Sequence, residues 1–150
     1  MENIINPQLI PKRSTIDSCG YDISVPDDEW NITTYYQTFD TGVRFTGNEI
    51  PFIRSDMAWF GLIAPRSSMG FKHGLKFSNT ICIIDQDYRD TIKIQMKADH
   101  NVSLGYGSRF AQLIFLPYGI LKDEIEPTVR RNGGIGSTDN DNQTKLEGFF

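Results

Sequence analysis

The sequence predicts an all-β fold, a jelly-roll type sandwich or barrel with one short helix and a flexible glycine-rich C-terminal arm. Three observations carry that prediction. In "IKIQMKA", residues 92–98, Ile92, Ile94, Met96 and Ala98 share one face while Lys93, Gln95 and Lys97 share the other, the period-two alternation of a half-buried strand. Five further runs are short, rich in β-branched and aromatic residues, and bounded by Gly, Pro, Asn or Asp. No window longer than about ten residues holds the i, i+3, i+4, i+7 apolar stripe of a surface helix.

In chain order, "ITTYYQTF" (32–39), "GVRFTG" (42–47) and "MAWFGLIA" (57–64) read as strands, and the third stops at Pro65. Ser67 is suited to N-cap the single short helix. "TICIID" (80–85) and the run from Thr91 flank Gln86 and Asp87, which predicts a hairpin with Asp85 at the end of its incoming strand and Tyr88 beside the turn. "RFAQLIFLP" (109–117) is the last strand. Beyond it, "RRNGGIGSTDNDNQTKLEGFF" is rich in Gly, Asn, Ser and Thr and lacks alternation. The expected organisation is one β domain over 1–129 with an arm over 130–150.

With 150 residues the chain can bury about 68–70% of its unfolded surface in one core. Nineteen acids against fifteen bases argue against a nucleic-acid binder that relies on its overall field, so any phosphate affinity must be local. No apolar run approaches the ~20 residues that cross a bilayer, and no signal peptide is recognisable. The two cysteines, Cys19 and Cys82, lie far apart and suggest a reducing compartment. The expectation is a soluble protein of the cytoplasm, or of the nucleus or host cytosol if viral.

Five stretches carry chemistry. In "PRSSMGFKHGL" (65–75), Arg66 offers a planar fork, Lys72 a point charge, and the helix start at Ser67 and Ser68 free N–H groups, a combination that suits an anion as well as it suits a plain capped turn. Asp85 at the hairpin mouth can orient a water and take its proton, or can simply form the turn. In "GYGSRFAQLIF" (105–115), Arg109 and Gln112 are donors that suit phosphate oxygens, and an amide inside an apolar run needs a partner. "RRNGGIGST" (130–138) has glycines that let backbone N–H groups turn onto an anion, although no Lys-Ser or Lys-Thr pair follows as in a Walker A loop. "SCGYDIS" (18–24) places Gly20 and Asp22 at a strand entry.

These five stretches occur in the order and approximate spacing of the motifs of the trimeric deoxyuridine triphosphatases, and the likeness runs from about residue 12 to residue 139. "CGYDI" resembles that family's Ala-Gly-Tyr-Asp-Leu, and "PRSS", "IIDQDYR", "GSRFAQLI" and "RNGGIGST" resemble the four motifs that follow. The resemblance implies a homotrimer with active sites shared between subunits, in which the arm closes over its own or a neighbour's site. The implied reaction is Mg2+-assisted hydrolysis of dUTP to dUMP and pyrophosphate, which keeps uracil out of DNA and supplies dUMP. Asp85 would activate the water. Arg66, Ser67, Ser68 and Gln112 would hold the phosphates, with Arg130, Gly136, Ser137 and Thr138 of the arm on the β and γ groups. Asn79, Ile83 and Ile84 would read the uracil edge, Tyr88 would pack on the sugar, and Ile135 would cover the base. Asp22, Arg109 and Lys72 would support the set. With no carboxylate cluster of ligand spacing in the sequence, Mg2+ is expected to arrive on the triphosphate rather than in a protein cage.

The chain departs from the family at several places. Ile135 stands where a phenylalanine usually stacks on uracil, Cys82, Asp90 and Arg131 where glycines are usual, Ser108 at an aspartate and Asp139 at another glycine. Two rivals follow: a dCTP deaminase relative, which shares the fold and an Arg-Ser-Ser motif, and a nucleotide-sensing interaction module on the same scaffold. A Ser67, His73, Asp85 hydrolase is disfavoured because no nucleophile elbow is present. His73 and His100 are expected at the surface.

Overall fold

Alternation decides which strands meet. The computed structural model describes residues 10–45, 58–125, 127, 128, 131 and 135. The largest sheet is antiparallel and runs β1 (Lys12–Arg13), β2 (Tyr21–Ser24), β10 (Arg109–Tyr118), β5 (Ala58–Pro65), β7 (Cys82–Ile84). A second sheet runs β4 (Gln37–Asp40), β8 (Lys93–Lys97), β6 (Lys76–Phe77), and β3 (Glu29–Ile32) pairs with β9 (Val102–Gly105). The one helix among the described residues is α1, Ser67–His73.

All three sheets feed one core. Ile23, Ile63, Phe110 and Leu113 enter it from the largest sheet, Ile94 and Met96 from β8, and Trp30 and Ile32 from β3. Trp30 joins them, its ring 4.7 Å from Phe39 of β4 and 5.0 Å from Phe110 of β10. Such pairs add about 0.5–1.5 kcal/mol each beyond the area they bury. The alternation in 92–98 holds throughout, with Ile92, Ile94, Met96 and Ala98 all buried.

Four local expectations are corrected. The run 32–39 is not one strand. It breaks at 33–36, where the Gln37 side chain accepts from the Thr33 N–H at 3.0 Å and the Thr33 hydroxyl accepts from the Tyr35 N–H at 3.2 Å, so side chains replace the ladder. Residues 42–45 form no strand, because Gly42 turns left-handed at φ 67° and only Thr41 and Val43 bond across to Ile92. Ser67 is not the N-cap. Arg66 is, with extended dihedrals (φ −66°, ψ 145°) and no side-chain cap, its carbonyl accepting from Met69 and Gly70. Lastly, 79–94 is no hairpin: β7 pairs with β5 and β8 with β4 and β6, so residues 85–92 cross from one sheet to another. Burial of Tyr88 and Ile92 on the way drives that crossing.

The helix ends at Gly74, whose φ of 60° and N–H bond to Gly70 O, with Leu75 N–H on Met69 O, form a left-handed C-cap. A side chain there would also run into the Asp99 carboxylate. Cys82 points into the core, and burial pushes its thiol pKa up, so it is an inert thiol; Cys19 is exposed, and both are free.

Candidate active site

One end of the largest sheet gathers cations around a single carboxylate. Register sets Asp22 of β2 against Gln112 of β10, which in turn faces Ala64 of β5, so the chain leaving β5 brings Arg66 to the same end. The Arg66 N–H donates to Phe110 O at 3.0 Å, fixing the start of α1. Asp22, only 11% exposed, takes Arg66 Nε on Oδ1 at 3.1 Å and Arg109 Nη1 on Oδ2 at 3.0 Å. Ser14 completes the cluster, accepting from Arg109 Nη1 at 2.7 Å and donating its hydroxyl to Asp22. One carboxylate thereby orients two planar forks and leaves the cluster net positive. A register shift between Arg109 and Ala111 locally re-aims the strand at Arg109.

Gly20 belongs to this end by exclusion of volume. A Cβ there would lie 2.7 Å from Gln112 Oε1 and 3.2 Å from its Cβ, so the Gln112 amide occupies space that only glycine leaves. Ser67 is exposed and Ser68 half-buried at the start of α1, and Lys72 is exposed in its last turn.

A second group lies where β7 ends. Among the described residues β7 is an edge strand, so the backbone of Ile83 and Ile84 has one side outside the ladder, open to a planar base edge. Just before it, Thr80 holds a left-handed φ of 65° in a tight turn closed by Ile81 N–H on Asn79 O at 2.7 Å, a backbone conformation that a β-branched residue rarely adopts and that concentrates at binding sites. Asn79 is exposed and its Oδ1 accepts from the Cys82 thiol at 3.6 Å. After β7, Asp85 presents a half-exposed carboxylate while its carbonyl accepts from the Tyr88 N–H at 3.0 Å. Tyr88 is buried and donates its hydroxyl to Thr91 O at 2.9 Å, and burial pushes its phenol pKa upward, so it stays neutral. Asp90 accepts from the Thr91 N–H at 2.8 Å, which with Lys93 holds its carboxyl below the usual range.

The two groups do not meet within one chain. Through the ladders β10·β5·β7, Asp85 stands four residues along and two strands across from Gln112, which is roughly 13 Å by 10 Å, and Arg66 is about 20 Å away along the strand. Of the residues singled out in the sequence, Asp22, Arg66, Arg109 and Gln112 come together, and Asp85 and Tyr88 come together elsewhere. Ile135 is exposed. Arg130, Gly136, Ser137 and Thr138 lie outside the described residues. No three His, Cys, Asp or Glu side chains gather as a metal-ligand set among the described residues.

The dUTPase family model matches residues 6–139 of the chain. The chain belongs to the dUTPase family. It is 34% identical to the deoxyuridine 5'-triphosphate nucleotidohydrolase of Escherichia phage T5 over 90% of this chain and 95% of that one, and 35% identical to that of Wigglesworthia glossinidia brevipalpis over 85% of each. Among solved structures, the dUTPase from Streptococcus mutans superposes with a TM-score of 0.64 at 28% identity, covering 78% of this chain and 91% of that one. A mutant dUTPase from phage phi11 of S. aureus, described with a coordinated structural Mg(II) ion, shares the fold with a TM-score of 0.62 at 17% identity, covering 83% of this chain and 95% of that one.

Two residues of this dUTPase escaped the sequence reading. Ser14 lies outside the motifs, and nothing in its neighbourhood signals that it joins Asp22 and Arg109. Arg131 stood out only as a departure from a family glycine, yet its guanidinium pairs with Asp85 and its Nε lies 3.5 Å from Asp87. The doubled Arg130-Arg131 was the available signal.

Proposed function

We propose that this chain hydrolyses Mg2+-bound dUTP to dUMP and pyrophosphate, in a homotrimer whose active sites join the arginine cluster of one subunit to the Asp85 turn of another. The observation that carries the shared site is the separation of those two groups along β10·β5·β7, which no side chain spans. A closed symmetric oligomer brings unlike surfaces of identical chains together and so completes each site without any refolding.

In that site Arg66, Ser67, Ser68 and Gln112 hold the phosphate chain, with Arg109 and Asp22 fixing the Arg66 fork and Lys72 adding charge. Asp85 accepts a proton from water as its oxygen attacks the α-phosphorus in line, and the bond to the bridging oxygen breaks to release pyrophosphate. Arg130, Gly136, Ser137 and Thr138 close on the β and γ groups. Mg2+ enters as part of the substrate and neutralises charge on the departing oxygens. The open edge of β7 at Ile83 and Ile84, with Asn79, reads the uracil edge, where a thymine methyl would clash. The neutral Tyr88 ring packs on the deoxyribose and leaves no room for a 2'-hydroxyl.

Pyrophosphate release from dUTP and from each of the four standard deoxynucleotides tests the reading. dUTP should be turned over and the other four not; ammonia release from dCTP would instead place the chain with the deaminases. Ile135 supplies a second test. Base–aromatic stacking is worth about 1–3 kcal/mol per base in single-strand binders, more than an aliphatic cover gives. Ile135→Phe should therefore lower KM for dUTP, and an unchanged or raised KM would remove Ile135 from the base.

A further inference from the structure

Arg131 is seated more deeply than an arm residue has reason to be. Its side chain is 15% exposed, its Nη2 pairs with Asp85 Oδ2, and its backbone N–H donates to Asp87 Oδ2 at 3.2 Å. Its guanidinium carbon lies 5.7 Å from the centroid of the Tyr88 ring. One side chain thus covers the carboxylate assigned to water activation and lies against the ring assigned to the sugar. We propose that Arg131 is a competitor for the substrate's place: in the free chain it holds Asp85, and binding of the nucleotide triphosphate displaces it. The proposal rests on the reading of Asp85 as the proton acceptor.

The chemistry of the contact points that way. A carboxylate takes a proton from water through a free lone pair, and here a guanidinium occupies one of its oxygens. Arginine stays protonated, so Arg131 cannot relay the proton in its place. The seat is also unfinished. Nε is buried without a hydrogen bond, its nearest carboxylate oxygen being Asp87 Oδ1 at 3.5 Å, a desolvated donor that a phosphate oxygen or water would satisfy once the side chain moved. Asp85 and Asp87 are each about half exposed, so solvent screens the pair and keeps it exchangeable. A triphosphate carries a denser negative charge than the two carboxylates and competes for the same cation. The glycine usual at this position offers no such contact, so the device is a property of this chain.

A double-mutant cycle on binding tests the proposal without relying on turnover. Wild type, Arg131→Gly, Asp85→Asn and the double variant are titrated calorimetrically with the non-hydrolysable α,β-imido analogue of dUTP in Mg2+. If the Arg131–Asp85 pair breaks on binding, Arg131→Gly favours binding at least ~3-fold more in the wild-type background than in the Asp85→Asn background, because only the first has a contact to lose. The same factor in both backgrounds, or a larger loss in the presence of Asp85, overturns it. Failure of the underlying reading looks different: Asp85→Asn would then retain pyrophosphate release. A flat cycle beside an inactive Asp85→Asn enzyme defeats the role of Arg131 alone.

Discussion

Asp85→Asn is expected to lower kcat for dUTP by roughly 10^2- to 10^4-fold, the span that a positioned general base contributes. KM should stay within about threefold, since the substitution removes no phosphate ligand and exchanges one oxygen for an isosteric amide. Steady-state pyrophosphate release measures both constants. Asp85 projects from the end of β7 into a half-exposed position, outside the core, so the variant keeps the fold and the loss reports chemistry. Binding has one reason to tighten, because the amide gives Arg131 a weaker hold. A kcat within tenfold of wild type would take Asp85 out of the mechanism.

The fold was legible wherever a strand has one wet face. Residues 92–98 alternate in sequence and in burial because β8 packs Ile94 and Met96 inward and leaves Gln95 exposed. Local signals failed where a distant partner overrode them. Asp85 to Thr91 has the composition of a hairpin turn, but Tyr88 finds a place in the core and Ile92 bonds to Thr41 and Val43, which carries the chain to another sheet. Ser67 has the chemistry of a cap, yet the extended dihedrals fall one residue earlier because the Arg66 N–H is held by Phe110 O. At the candidate site, residue types were readable and juxtapositions were not. Nothing in "CGYDI" says that Gly20 makes room for Gln112, more than ninety residues on, or that Ser14 joins the same cluster. Those facts depend on the register of β2 against β10, which no local pattern sets.

Register also yields the sharpest test of the shared site. Arg66→Ala and Asp85→Asn should each give an oligomer with little activity, yet co-expressed with different affinity tags and purified as mixed trimers they should regain it. The Asp85→Asn chain still carries an intact Arg66, Gln112 and Asp22 set, and the Arg66→Ala chain an intact Asp85. Where one meets the other in the right order, every required group is present. With random assembly from equal amounts, each site has a half chance of an intact cation cluster and a half chance of an intact carboxylate from its neighbour, so about a quarter of the sites recover. Arg66→Ala leaves Asp22 paired with Arg109 and Ser14, which keeps that end of the sheet folded. Recovery has no route if a single chain supplies both groups, because every chain in the mixture is then defective. Mixed trimers with no more activity than their parents would therefore place the cation cluster and Asp85 of one chain in one site, against the roughly 13 Å by 10 Å offset that the ladders impose on Asp85 and Gln112.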